Sequence, residues 1–160
     1  MMSELSIYIH WPYCLSKCPY CDFNSHVADK KIDQEEFLEL IEKEIEYQSK
    51  YIDNKKISSI FFGGGTPSLM DPRIIERILA HLFSRCNIEN DTEITMEANP
   101  TSVELQKFRD YSNIGVNRIS IGVQSLDNDD LKNLGRTHTA ELAIEAIGIA
   151  QKYFESVSID

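Results

Sequence analysis

The sequence predicts an α/β chain built on a parallel sheet and arranged as part of a (β/α) barrel. Two observations carry this expectation. Segments with strand character alternate with helical segments long enough to serve as crossovers, and such crossovers join parallel strands. The chemically distinctive residues also fall just past the carboxyl ends of those strands, the face on which parallel α/β folds build their sites. The 160 residues suffice for one domain with a core, and no Pro/Gly/Ser-rich linker divides them.

The elements follow in order. "LSIYI", Leu5 to Ile9, alternates apolar and polar residues and reads as the first strand. After a cysteine-rich segment, "IDQEEFLELIEKEIEYQSKY" sets Phe37, Leu38, Ile41 and Ile45 on one helical face. "KISSIFF" is the second strand and runs into three glycines. Asp71 caps the next helix with Pro72 at its first position. Ile74, Ile75, Ile78, Leu79, Leu82 and Phe83 form that helix's apolar stripe. "TEITMEA" is the third strand, and "TSVE", Thr101 to Glu104, has the capping-box spacing that opens a third helix. "VNRISIG" is the fourth strand, "TAELAIEAIGIAQKYF" a long helix, and "SVSID" the start of a fifth strand. A complete (β/α) barrel takes roughly 250 residues. The expectation is therefore the first part of a larger fold, one domain over 1–160, truncated after the start of strand five, with later strands and a C-terminal domain absent.

Lys+Arg 16 against Asp+Glu 26 gives a net charge of −10, with no basic cluster, which is not the footprint of a nucleic-acid binder. No apolar run approaches the ~20 residues of a membrane helix. The start "MMSELSIYIH" lacks a basic region followed by an apolar block, so no signal peptide is read and a reducing, cytoplasmic setting is expected. There, clustered thiols are metal ligands or redox groups rather than disulfides. Cys86, at the end of the second helix, is expected to be packed and inert. His10, His26, His81 and His138 are scattered, and each defaults to a surface or turn position.

"HWPYCLSKCPYC", His10 to Cys21, carries three cysteines spaced C-x-x-x-C-x-x-C. One reading is structural zinc, with His10 or His26 as a fourth ligand. Zinc ligands, however, mostly come as two pairs separated by a longer loop. Three thiols on one tight loop suit a cubane iron–sulfur cluster held at three corners, its fourth iron open to a substrate or cofactor. The same rim gathers Gly63-Gly64-Gly65-Thr66-Pro67 after strand two, Glu97 at the end of strand three, Gln124 after strand four and Asp160 in strand five. The glycines either make a tight turn or let backbone N–H groups approach a carboxylate, with Thr66 adding a hydroxyl. Glu97 before Asn99-Pro100 is either a solvated turn residue or a ligand contact.

The cysteine spacing, with Tyr20 before the last cysteine and GGGTP downstream, resembles the signature of radical S-adenosylmethionine proteins. The longer strings "YIHWPYCLSKCPYCDFNS", "FFGGGTPS", "MEANPTS" and "GVNRISIGVQSLDNDDLKNLGRTHT" resemble the oxygen-independent coproporphyrinogen III oxidase family, from strand one to the last residue. The oxidases of that family carry a further cysteine two residues after the third, and a long segment before strand one. Phe23 stands at that position here, and few residues precede the strand. The resemblance is thus to the other branch, the oxidase-like heme chaperones.

The resemblance implies a radical S-adenosylmethionine type of partial barrel in which Cys14, Cys18 and Cys21 ligate three irons of a 4Fe–4S cluster. The amino and carboxylate groups of S-adenosylmethionine then chelate the fourth iron. Tyr8, Tyr20, Gly64, Gly65, Thr66, Glu97, Gln124, Arg136 and Asp160 are the implied contacts of that cofactor, with Tyr20 near cluster and adenine. Acidic partners such as Glu97 and Asp160 suit a sulfonium, and Arg136 is expected to hold a carboxylate in a bidentate fork. Reductive cleavage of the sulfonium would give methionine and a 5′-deoxyadenosyl radical, the hard step being the cofactor's own. No residue is assigned as catalytic. The implied partners are heme or porphyrin and heme-accepting respiratory proteins, without nucleic acid or an integral membrane segment. The competing readings are radical decarboxylation of coproporphyrinogen III in porphyrin biosynthesis and an inactive, zinc-bound or metal-free remnant.

Overall fold

The computed structural model describes residues 4–28, 32–52 and 55–160. Five parallel strands form the main sheet: β1 (Glu4–Trp11), β4 (Lys56–Gly64), β5 (Asn87–Ala98), β6 (Arg118–Ile121) and β7 (Ser156–Ile159). They lie side by side in chain order, each joined to the next by a crossover. The connecting helices are α1 (Gln34–Ser49), α2 (Pro72–Arg85), the short α3 (Ser102–Leu105) and α4 (Phe108–Asn113), α5 (Asn128–Asn133) and α6 (Ala140–Tyr153). This is the α/β parallel-sheet architecture expected from the alternation of periods.

One face of the sheet makes the core. Ile9 and Trp11 of β1, Ile57, Ile60 and Phe62 of β4, Ile94 and Met96 of β5, and Ile119 and Ile121 of β6 join the helical stripes in one contiguous apolar cluster. The alternate residues carry polar groups instead. Ser59 donates to Ser6, Thr95 donates to Glu93, and the Arg118 guanidinium donates to Thr95 and Ser158. A parallel sheet with helices on both faces reads as continuous apolar runs. Alternation of this kind instead marks a sheet with helices on one side and a polar inner face, the arrangement of a partial barrel.

Local chemistry explains the helix starts. Asp33 accepts the N–H groups of Glu35 and Glu36, and Asp71 accepts that of Arg73 behind Pro72 at the first helical position. Thr139 caps α6 through the N–H of Leu142. In α2, Ile74, Ile75, Ile78, Leu79 and Leu82 are all buried, so the expected stripe is the packed one, while Phe83 stays exposed.

Three elements differ from expectation. The third helix is two short pieces, α3 and α4, and Glu104 does not complete a capping box. Its carboxylate is buried, taking hydrogen bonds from the Ser68 hydroxyl, the Asn99 N–H at 2.7 Å and the Thr101 hydroxyl at 3.0 Å. Lys107, between the two pieces, turns its ammonium onto the carbonyls of Ser68, Leu69 and Met70 at 3.0–3.3 Å. β5 begins at Asn87, five residues before the expected start, because Asn87 and Ile88 pair with Lys56 and Ile57 ahead of a register shift. α5 went unanticipated, since Leu131 is its one buried side chain and no stripe announces it. The signal that was available is Asp127, whose carboxylate caps Asp129 and Asp130.

Candidate functional site

The cysteine loop leaves β1 and is closed at its base. Two short parallel strands, β2 (Tyr13–Cys14) and β3 (His26–Val27), pair across it. The Lys17 ammonium donates inward to the Ser25 carbonyl at 3.2 Å, and the Cys21 N–H returns to the Cys18 carbonyl at 3.1 Å. His10 joins strand to loop. Its Nε2 lies 2.8 Å from the Asn24 carbonyl, which only accepts, so that nitrogen carries the proton and Nδ1 accepts from the Tyr8 hydroxyl at 3.0 Å.

The glycines after β4 fix the loop from the other side. Gly65 N–H donates to the Trp11 carbonyl at 2.6 Å, Thr66 N–H to the Tyr13 carbonyl at 2.9 Å, and Gly64 N–H to the Glu97 carboxylate at 3.1 Å. Their N–H groups are thus engaged within the protein, so the carboxylate that the glycine backbone meets belongs to Glu97. Gly64 has φ +113, and a Cβ on Gly65 would lie 2.5 Å from the Tyr13 carbonyl oxygen. Gly65→Ala is therefore expected to push the cysteine loop outward, costing ~1–3 kcal/mol of stability as overpacking does and lowering iron loading after anaerobic reconstitution. Thermal melts and iron assays check this, and wild-type iron content would contradict it.

A cavity of about 220 Å³ opens where these segments meet. Cys14, Cys18, Cys21, Tyr20, Gly65, Thr66, Glu97, Gln124, Arg136 and Asp160 all line it, together with Lys17, Phe23 and Asn99. The rim expected from strand order is thus assembled in space. Two expected residues are not on its wall. Gly64 lies behind it, reaching it through Glu97, and Tyr8 stands 56% exposed on the polar face of the sheet, stacked on Phe61.

A hydrogen-bonded chain crosses the cavity. The Tyr20 hydroxyl donates to Gln124 Oε1 at 3.1 Å, and Gln124 Nε2 donates to Asp160 Oδ2 at 3.2 Å. The Gln124 N–H also donates to the Asp160 carbonyl at 2.6 Å. Gln124 is the one non-glycine residue with positive φ among the described residues, at 69°, and this turn aims its amide at both neighbours. Burial pushes the Glu97 carboxyl above the usual carboxylate range; the Gly64 N–H opposes this, and the Asp160 charge adds to it. Burial also raises the Tyr20 phenol.

Arg136 departs from expectation. Nη2 donates to Asn99 Oδ1 and to the Gly122 carbonyl, both at 2.6 Å, while Nη1 faces Cys18 Sγ at 3.6 Å and Tyr20 Oη at 3.4 Å. With its fork engaged on protein groups, it offers no edge for a bidentate carboxylate. Asn99 was missed as a site residue although it links Thr66, to which it donates at 3.1 Å, with Arg136. Its position beside Glu97 on the rim was the available signal. His138 also departs from a surface default. It is buried, with Nε2 3.1 Å from the Val123 carbonyl, and burial lowers its imidazole pKa.

The three thiols are free and partly exposed. Among the described residues, no three His, Cys, Asp or Glu side chains converge closely enough to hold one metal ion. A single zinc would need every sulfur ~2.3 Å from a common point. Thiols spread around a cavity fit a larger body, such as a cubane whose corners each take one sulfur.

The profile of the Radical SAM superfamily matches residues 8–159. The chain is 43% identical over 149 residues to the heme chaperone HemW of Escherichia coli, covering 93% of this chain and 39% of that protein. It is 41% identical over 159 residues to the heme chaperone HemW of Buchnera aphidicola, covering 99% of this chain and 42% of that protein. The chain thus spans about two fifths of the length of these relatives. The solved structure of coproporphyrinogen III oxidase HemN from Escherichia coli superposes with a TM-score of 0.90 at 28% identity, covering 99% of this chain and 37% of that one. The match runs from Tyr8 in β1 to Ile159 in β7, so the chain belongs to the Radical SAM superfamily, and within it the chain resembles the heme chaperones HemW and the coproporphyrinogen III oxidase HemN.

Proposed function

We propose that this chain holds a 4Fe–4S cluster on Cys14, Cys18 and Cys21, that it binds S-adenosylmethionine in the adjoining cavity, and that the whole protein is a heme chaperone. One observation carries the cofactor reading: three free thiols share one cavity with the carboxylates of Glu97 and Asp160. Soft thiolates suit iron–sulfur ligation, and carboxylates suit a cationic sulfonium and its amine and hydroxyl groups. When bound, the cluster and the sulfonium cofactor supply one-electron chemistry.

The protein's own part is positioning. The Gly64 N–H orients Glu97 toward the cavity, and Gln124 holds Asp160 from its side chain and its backbone. The Thr66 hydroxyl, buried and fixed by Asn99, adds a polar group to the cavity wall.

Heme or porphyrin as cargo rests on the relatives named heme chaperone; heme-accepting respiratory proteins as recipients and a cytoplasmic setting are proposed with it. Among the described residues no helix is long and apolar enough to cross a membrane. Radical decarboxylation of coproporphyrinogen III is the second reading, favoured by the likeness to HemN. Against it stands Phe23, 58% exposed at the cavity, where the resembled oxidases carry a cysteine. The experiment pairs heme titration by Soret absorbance with an anaerobic coproporphyrinogen III assay, both on the full-length protein after reconstitution. Stoichiometric heme binding without decarboxylation is expected, and turnover of coproporphyrinogen III would favour the oxidase.

A further inference from the structure

We infer that Arg136 acts on the thiolate of Cys18 as a positioning residue that raises the reduction potential of a cluster bound there. The inference rests on the cluster reading above.

A guanidinium has five N–H donors in a fixed plane. Both on Nη2 are taken at 2.6 Å, by Asn99 Oδ1 and the Gly122 carbonyl, and those on Nη1 point to Cys18 Sγ at 3.6 Å and Tyr20 Oη at 3.4 Å. The fifth, on Nε, is buried without an acceptor among the described residues. Two short bonds on one nitrogen stop the plane from rotating, so Nη1 is held against the sulfur. The anchors are themselves built for this. A Cβ on Gly122 would stand 3.2 Å from Nη2 and 3.3 Å from Asn99 Oδ1. Gly135, at φ +69, brings the turn that carries Arg136 against the cysteine loop, where a Cβ would come 2.8 Å from Pro19. Asn99 is held in turn, its N–H on the buried Glu104 carboxylate at 2.7 Å.

The consequence is electrostatic. Arginine stays charged at every working pH. A cationic N–H donor on a cluster thiolate favours the more negative, reduced state, and hydrogen bonds to sulfur are among the levers that set cluster potentials. Of the three cysteines, Cys18 is the one that Arg136 contacts.

The test is an EPR-monitored redox titration of the full chain, reconstituted anaerobically and measured at fixed pH without S-adenosylmethionine. Arg136→Met is expected to keep wild-type iron content and to move the midpoint potential to a more negative value. Arg136→Lys, which keeps the charge, is expected to recover part of that shift. Asn99→Ala removes one anchor but leaves the cation in place, and is expected to shift less than Arg136→Met. A fully loaded Arg136→Met cluster with the wild-type potential would overturn the inference. So would an Asn99→Ala shift as large as that of Arg136→Met, which would assign the effect to loop geometry. Should Arg136→Met fail to load iron, Arg136→Gln carries the same test with the same overturning result. Absence of a cluster in the wild-type protein would sink the cofactor reading itself, a separate outcome.

Discussion

Cys18→Ala is expected to emerge from anaerobic reconstitution colourless, its iron falling from about four per chain, the content of a cubane, to a trace. Two thiolates remain in that variant, and they cannot hold a cubane that is already short of one protein ligand. The fold is expected to survive, because the loop's own ties run through backbone groups and Lys17 rather than through the sulfur. Cys86→Ala is the control. Cys86 caps the end of α2 next to the first residue of β5, at the amino end of the sheet, where burial against the core raises its thiol pKa. That variant is expected to load iron as the wild type does. Iron–sulfur absorbance in Cys18→Ala, or its loss in Cys86→Ala, would contradict the ligand assignment.

Glu97→Gln and Asp160→Asn are expected to weaken S-adenosylmethionine binding by ~1–3 kcal/mol each, the scale of a hydrogen bond to a charged group, or roughly 5- to 150-fold in Kd. Iron content stays at the wild-type level, since neither side chain is a cluster ligand in this assignment. The pH dependence has a definite sign. Burial holds the Glu97 carboxyl above the usual range, so on acidification it takes its proton earlier than an ordinary carboxylate does. The neutral acid no longer attracts a sulfonium, so affinity is expected to fall as pH drops through that raised value. In Glu97→Gln this pH dependence is expected to vanish. Calorimetric titration of the reconstituted proteins measures all of it. Wild-type affinity in both variants, or iron loss in either, would contradict the site.

Much of this architecture was legible in the residues. Period-2 and period-3.6 patterns are local properties, and α1, α2, α6 and the strands of the main sheet, apart from the early start of β5, stand where those patterns put them. The rim was legible for a topological reason: in a parallel sheet all carboxyl ends lie on one face, so strand assignment alone gathers Cys14, Thr66, Glu97, Gln124 and Asp160. What escaped depends on partners distant in sequence. Glu104 has the spacing of a capping box, yet Ser68 and the Asn99 N–H draw its carboxylate into the interior. Arg136 resembles a free fork until Asn99 and Gly122 occupy it. Such competition among acceptors is tertiary, and no local window of sequence contains it.

The central claim is that three thiolates hold a cluster while one iron stays open for a cofactor. The direct measurement is the Mössbauer spectrum of the chain reconstituted with ⁵⁷Fe, recorded before and after S-adenosylmethionine is added. The account predicts a cubane in which about one iron in four changes its isomer shift on addition, the other three being thiolate-bound. Four irons that stay equivalent and unchanged, or a colourless protein holding stoichiometric zinc, would contradict it.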